Sequence, residues 1–329
     1  MRRYLLYVGY SGTGFRGIQK QTEDLENKLS SVHGIVENGL IRLCPANTPV
    51  IYFSSRTDKG VHAVCNTAHV DLAQCKNGLF YDPNTITYCL NNFFKKSEAA
   101  VRVHKTVPVP SSFHARYDAI SRTYLYRLGV VQPDIGNSRF AREAFLPTAE
   151  FNKIHLVRSP FDIERVIPAC HMLEGTHDFA TYGAALSKGS FPRETTRFIH
   201  KISVTPGRPS LDPCYDPQSS RLQFWDITIK GSSFLYKQVR RTVGALVALA
   251  QGRISLDDVK YMLENPSPHN WNSRVESAPP HGLFLLRVEY PQHVLSMENL
   301  QSDDDTNKLK AESVENNSDI DVRQKSQEE

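Results

Sequence analysis

The chain has 329 residues, 40% hydrophobic and 10% aromatic, enough to bury a sizeable core and too much for wholesale disorder. No apolar run reaches the roughly 20 residues that span a bilayer, and the six cysteines (Cys44, Cys65, Cys75, Cys89, Cys170, Cys214) form neither a C-x-x-C pair nor a zinc-ligand spacing, so reduced thiols in an intracellular protein without a structural metal are expected. The net charge of +4 hides an asymmetry: residues 291–329 hold ten acidic and four basic side chains, leaving residues 1–290 with 35 basic and 25 acidic ones, a balance that favours an anionic partner without identifying it.

Tyr4 to Tyr10 reads as a strand. Gly12-Thr13-Gly14-Phe15-Arg16-Gly17 follows, a G-x-G-x-x-G of the kind that lets backbone amides approach a pyrophosphate. Glu37 lies 20 residues after Gly17, where a ribose-binding acid would sit. Yet Ile18 to Asp24 shows no apolar helical face and no parallel βαβ series follows, so a nicotinamide-dependent oxidoreductase is the weaker alternative. A loop exposing Arg16, Gln19 and Lys20, either phosphate-contacting or merely flexible, reads better.

Leu25, Leu29, Val32, Val36 and Leu40 recur at helical spacing. Strands over 50–55 and 64–72 then flank Arg56-Thr57-Asp58-Lys59-Gly60-Val61-His62. Alone, this is a hairpin turn, since Asp-x-Gly suits a tight reversal. Against that stands the density of Arg56, Asp58, Lys59 and His62, because a carboxylate flanked by cations stays ionised, as a nucleophile must. Asp82-Pro83 starts a helix with Ile86, Leu90 and Phe93/Phe94 on one face. A strand over 101–107 closes a first α+β unit, residues 1–107, and Pro-rich 108–112 reads as a linker.

The second unit, residues 113–290, opens with a strand over 122–131. Alternation puts Arg122, Tyr124 and Tyr126 on one face, which fits either a base-stacking platform or ordinary core aromatics. A helix over 161–173, strands over 197–204 and 222–230, a helix over 232–251 and a last strand over 282–290 complete it. On the 232–251 helix, Leu235, Val239, Val243, Leu246 and Ala250 make an apolar stripe. Arg240 lies at its rim, able to reach a cleft. Lys237 and Arg241 point away, toward solvent or phosphate, and Gly244 implies close packing. The acidic end, without an aromatic residue from Ser296 onward, is expected to be disordered.

Together these segments resemble the TruA family of tRNA pseudouridine synthases, and most closely its eukaryotic branch. The match rests on Gly17-x-Gln19-Lys20-Gln21, Arg56-Thr57-Asp58-x-Gly60-Val61-His62-Ala63, Phe113-His114-Ala115-Arg116-Tyr117 and Arg122-x-Tyr124-x-Tyr126. Gly175-Thr176-His177-Asp178-Phe179, Val239-Arg240-x-x-Val243-Gly244 and Gly282-Leu283-Phe284-Leu285 extend it. Ile18 replaces the family's usual Trp and Lys59 its usual small residue, departures expected to bear on RNA docking.

The resemblance implies an α+β fold of two ferredoxin-like or RRM-like units with a central catalytic cleft between them. It implies isomerisation of uridine to pseudouridine in tRNA, in an anticodon stem-loop, without cofactor or metal, by a homodimer that does not enter a membrane. Asp58 would be the catalytic carboxylate, Tyr124 would stack on the uracil or serve as a base, and Arg240 would orient Asp58. Leu283 would close the pocket, and Arg16, Gln19, Lys20, Arg56, His62, Arg116, Lys237 and Arg241 would meet RNA. The resembling eukaryotic proteins act in mitochondria, although no Arg/Ser-rich leader precedes the first strand. A non-catalytic RNA-binding protein on the same fold is the alternative.

Overall fold

The computed structural model describes residues 1–19, 31–73, 79–132, 146–184 and 194–295. Lys20, the helical positions Leu25 and Leu29, and the tail from Ser296 lie outside the described residues. The first half runs β1 (Arg2–Tyr10), α1 (Val32–Ile41), β2 (Ile51–Phe53), β3 (His62–Leu72), α2 (Pro83–Lys96) and β4 (Val101–Val109). The second runs β5 (Ser121–Val131), β6 (His155–Arg158), α3 (Ile163–Leu173), β7 (Gly175–Asp178), β8 (Thr196–Pro206) and β9 (Leu222–Gly231). It ends with α4 (Gln238–Ala250), α5 (Leu256–Glu264), β10 (Leu283–Glu289) and α6 (Gln292–Leu295).

Local chemistry explains the better-defined helices. Asp82 caps α2 by accepting from Thr85 N at 2.8 Å, Pro83 opens it, and Ile86, Leu90 and Phe94 are fully buried on one stripe. α5 escapes the periodicity reading, but Ser255 and Asp258 form a complete capping box at its start. The helix expected over 232–251 begins only at Gln238. Lys237 takes a left-handed φ of 61°, which an α-helix cannot contain, and the Gln238 side chain accepts from Leu235 N at 2.8 Å, tying down the preceding turn.

The α+β expectation holds, with one continuous sheet through both halves in the order β4-β1-β3-β10-β5-β9-β8-β7, β2 on β3 and β6 on β5. The last strand is the seam. β10 pairs parallel with β3 (Phe284↔His62, Leu285↔Ala63) and antiparallel with β5 (Leu283↔Tyr126, Leu285↔Tyr124). One hydrophobic cluster accordingly extends from Leu6 and Leu90 to Leu246 and Val259. The stretch read as a linker begins inside the sheet, because Pro108 and Val109 pair with Tyr4 and Arg3. β4 is an edge strand, where a proline's missing N–H costs no ladder bond.

Around β1 all neighbours are antiparallel, and its Gly-rich continuation is a short 3-10 turn over Gly12–Gly14. A doubly wound dinucleotide fold is excluded on both counts.

Candidate active site

Asp58 stands at the tip of the turn between antiparallel β2 and β3, so the hairpin reading of its motif is correct as topology. Asn66, fully buried on β3, fixes the turn. Its amide nitrogen donates to Ser55 O (3.0 Å) and to the Tyr10 hydroxyl (3.3 Å). Its oxygen accepts from the Ser54 hydroxyl (3.0 Å) and Thr67 N (2.9 Å). All four hydrogen bonds an amide side chain can make are used. Tyr10 in turn meets the Thr57 hydroxyl at 2.8 Å, and Val61 N donates to Asp58 O at 3.1 Å, closing the reversal.

The glycines of the Gly12–Gly17 loop serve this turn. A Cβ on Gly12 would lie 2.1 Å from Val61 O. Gly17, at φ +108°, brings its backbone against Thr57 and Lys59, with a would-be Cβ 3.2 Å from Thr57 O. Ile18 N then donates to Thr57 O at 3.2 Å. Ile18 itself is buried in the core, so its replacement of the family's Trp changes packing beneath the turn and not an RNA-facing surface.

From the second half, Arg240 Nη1 donates to Asp58 Oδ2 at 3.0 Å, with the two side chains 13% and 25% exposed. A backbone clamp holds the arginine: its Nε donates to Ala278 O at 2.7 Å, and Ala278 N donates to Arg240 O at 3.0 Å. Gly244, one turn on, permits this approach, since a Cβ there would sit 2.0 Å from Glu276 O. A cavity of about 640 Å³ lies behind the clamp, between β6, α4 and residues 276–279.

Tyr124 lies on β5 opposite Leu285, buried, with Phe234 edge-on at 5.3 Å. Burial pushes its hydroxyl up to about 12, and the nearby Asp58 charge adds to this, while Arg122 and Ser55 oppose it. The ring is therefore a neutral phenol at physiological pH. Leu283 is buried opposite Tyr126, two residues further along the same strand pair.

Of the two readings left open for the Arg122, Tyr124 and Tyr126 alternation, the core reading holds for Tyr126, and Arg122 is not an open cation. Tyr126 is fully buried and donates to Pro279 O at 2.7 Å. Arg122 is buried too, its guanidinium donating to Arg116 O (2.7 Å), Ala119 O (3.1 Å) and Ser232 O (2.7 Å). Two of the residues expected to meet RNA are engaged within the chain. His62 is 3% exposed: it accepts from Gly12 N (3.2 Å), donates from Nε2 to Asn152 O (2.8 Å) and stacks on Phe284 at 4.6 Å. Burial lowers its pKa, which suits a neutral strut under the Asp58 turn. Arg241 lies 4.0 Å over the Trp271 ring and donates to Gly183 O; its expected solvent face is covered by a segment 30 residues downstream.

Arg16, Gln19, Arg56 and Arg116 are exposed, and Lys237 is half-buried 5.2 Å over the Tyr236 ring. Sequence reasoning missed Asn66, Phe234 and Ala278. For Asn66 a signal existed, a polar residue at an inward strand position beside the motif. Phe234 was masked by the helix reading, and Ala278 acts through its backbone alone. Among the described residues no group of three or more His, Cys, Asp or Glu side chains could hold a metal ion, and no helix is long and apolar enough to cross a membrane.

The sequence pattern of the family described as tRNA pseudouridine synthase matches residues 169–291. The chain is 35% identical over 290 residues to tRNA pseudouridine synthase-like 1 of Xenopus laevis, covering 88% of this chain and 91% of that protein. The human protein of the same name is 36% identical over 290 residues, covering 88% and 90%. tRNA pseudouridine synthase A of Allorhizobium ampelinum is 32% identical over 291 residues, covering 88% and 96%.

Proposed function

The chain belongs to the TruA-type family of tRNA pseudouridine synthases and is an isomerase acting on tRNA uridines; from that premise we propose that Asp58 is its catalytic carboxylate, completed by Arg240 and Tyr124. The observation that carries the proposal is the 3.0 Å pairing of Asp58 with Arg240, a contact between the two halves at the tip of a turn whose every brace is satisfied.

Pseudouridine formation breaks the N1–C1′ bond and forms a C5–C1′ bond, with the C5 proton lost and a proton gained at N1. No redox equivalent or phosphate donor is consumed. Asp58, oriented by a charge-assisted hydrogen bond, supplies the anionic oxygen that meets the nucleoside as the base detaches. Tyr124 stacks on the uracil, and its raised hydroxyl pKa favours that role over a standing base. Leu283 and Leu285 form the apolar wall that keeps the detached base from escaping. The uridine must leave its stack first, at a cost of a few kcal/mol. Arg16, Gln19, Arg56, Arg116 and Lys237 are the proposed backbone contacts, in keeping with the excess of ten positive charges over residues 1–290.

The test is release of tritium from tRNA carrying 5-³H-uridine by the parent and by Asp58→Asn. Release by the parent alone is expected, and equal release by both would remove Asp58 from the chemistry. An anticodon stem-loop target, a homodimer and a mitochondrial site rest on the family resemblance. Mapping of the modified position, sedimentation and imaging of a tagged chain check them in turn.

A further inference from the structure

Far along β3 from the Asp58 turn, four aromatic rings gather, His69 buried beneath the others. Tyr52 on β2 lies opposite His69 on β3, and their rings stack at 5.0 Å and 15°. His69 meets His114 at 4.6 Å, and His114 meets Tyr117 at 4.3 Å. The ends are open, with Tyr52 51% and Tyr117 74% exposed. Large aromatic rings so placed ask for an explanation that core packing does not give.

The cluster is rigid. His69 Nδ1 accepts from Ala115 N at 3.1 Å and His114 Nδ1 accepts from Arg116 N at 3.1 Å, which leaves each Nε2 carrying the hydrogen of the neutral ring. Burial, then the charge of Arg3, lowers His69 to about 4 and also lowers His114. The cluster is thus uncharged at neutral pH; its Tyr52 and His69 rings are stacked, while His69–His114 and His114–Tyr117 meet at 65° and 37°. Arg3 beside it is paired with Asp71; the exposed cation is Arg116, whose guanidinium lies 5.7 Å over the Tyr117 ring. Neutral aromatic faces beside an arginine, on a basic body, are the chemistry of single-stranded nucleic-acid binding. The segment carrying His114 and Arg116 is tied from within to β5: the buried Arg122, two residues before Tyr124, donates to Arg116 O at 2.7 Å.

We propose that an exposed end ring of this cluster, Tyr52 or Tyr117, stacks an unpaired nucleobase of the tRNA other than the target uridine, with Arg116 on the adjoining phosphate. The proposal rests on the tRNA-synthase reading of the Asp58 site. A second copy of the chain is the less suitable occupant, because two exposed rings offer far less than the roughly 1,000 Å² that a specific protein interface buries.

Tyr52 and Tyr117 are exposed, so Leu replacements keep apolar bulk and remove only the ring plane. Within the Asp58→Asn protein, tRNA affinity is measured at about 50 mM and about 200 mM salt. Tyr117→Leu or Tyr52→Leu, whichever removes the stacking ring, is expected to weaken binding about tenfold, by the same factor at both salts, and its Phe counterpart by less than about twofold. Arg116→Ala is expected to lose more at the lower salt. Both Leu variants within about twofold of the parent, or a loss that vanishes at the higher salt, would overturn the proposal. So would Leu variants that change the sedimentation of the protein and leave tRNA affinity intact, since the surface would then join two copies. Absence of measurable tRNA binding by the Asp58→Asn parent would instead sink the site reading on which the proposal stands.

Discussion

Arg240 and Arg241 are neighbours on α4, about 100° apart around the helix, yet they belong to different regions. On the cleft side, Arg240 reaches Asp58 and Ala278. On the far side, Arg241 lies between the Trp271 ring and Gly183 O, and Trp271 is itself anchored by donation to Val275 O at 2.9 Å. Both guanidiniums are shielded and both meet a backbone carbonyl. Only one faces a carboxylate across the seam between the halves. Chemistry is therefore assigned by what covers a side chain, and charge and helical position alone do not decide it.

Substitutions at four positions break or sharpen that contrast. Asp58→Asn removes the charge that Arg240 serves and keeps its shape; single-turnover tritium release should fall more than about 10³-fold, with tRNA affinity within a few-fold of the parent. Arg240→Ala leaves the Asp58 carboxylate, 25% exposed, without the charge-assisted bond that orients it. Its turnover should fall about 10²-fold, and Arg240→Lys should recover only part, lacking the planar fork.

Arg241→Ala tests the other side. Loss of a cation–π contact and a carbonyl bond should cost about 1–2 kcal/mol, seen as a Tm lower by a few degrees. Turnover and the salt dependence of tRNA binding should match the parent. A salt slope flattened by about one would mean that Arg241 meets a phosphate after all.

The smallest effect concerns His62. Its lowered pKa means that the fold prefers the ring neutral. The stability it contributes is whole above the ordinary imidazole value of about 6.5 and is lost as pH falls toward the depressed folded value. Protonation would also remove the Nδ1 acceptor from Gly12 N. His62→Asn should therefore melt lower than the parent at pH 7.5, with a shallower further drop at pH 5. Parallel melting curves would show that this imidazole does not titrate.

The sequence carried the longer strands, α2 and the Asp58 motif, because period-2 alternation and a cap followed by proline are local signals. The rim position of Arg240 was legible for the same reason: the stripe from Val239 to Ala250 sets the phase of α4. What escaped was long-range. Trp271 covers Arg241 from 30 residues away, and no periodicity records that. β6 and β7, four residues each, are too short for alternation to register. The loudest motif, Gly12 to Gly17, was real in its demand for close backbone approach, but the neighbour it approaches is the Asp58 turn and not a pyrophosphate. That partner is fixed by the sheet order, which places β1 beside β3.

The most direct test of the central claim is a double-mutant cycle of Asp58→Asn and Arg240→Ala, read by single-turnover tritium release from 5-³H-uridine tRNA. If the two side chains act as one unit, the double variant should be no slower than Asp58→Asn alone, within about threefold. Losses that multiply, so that the double variant is slower by the full Arg240→Ala factor, would contradict the account by showing that Arg240 acts independently of Asp58.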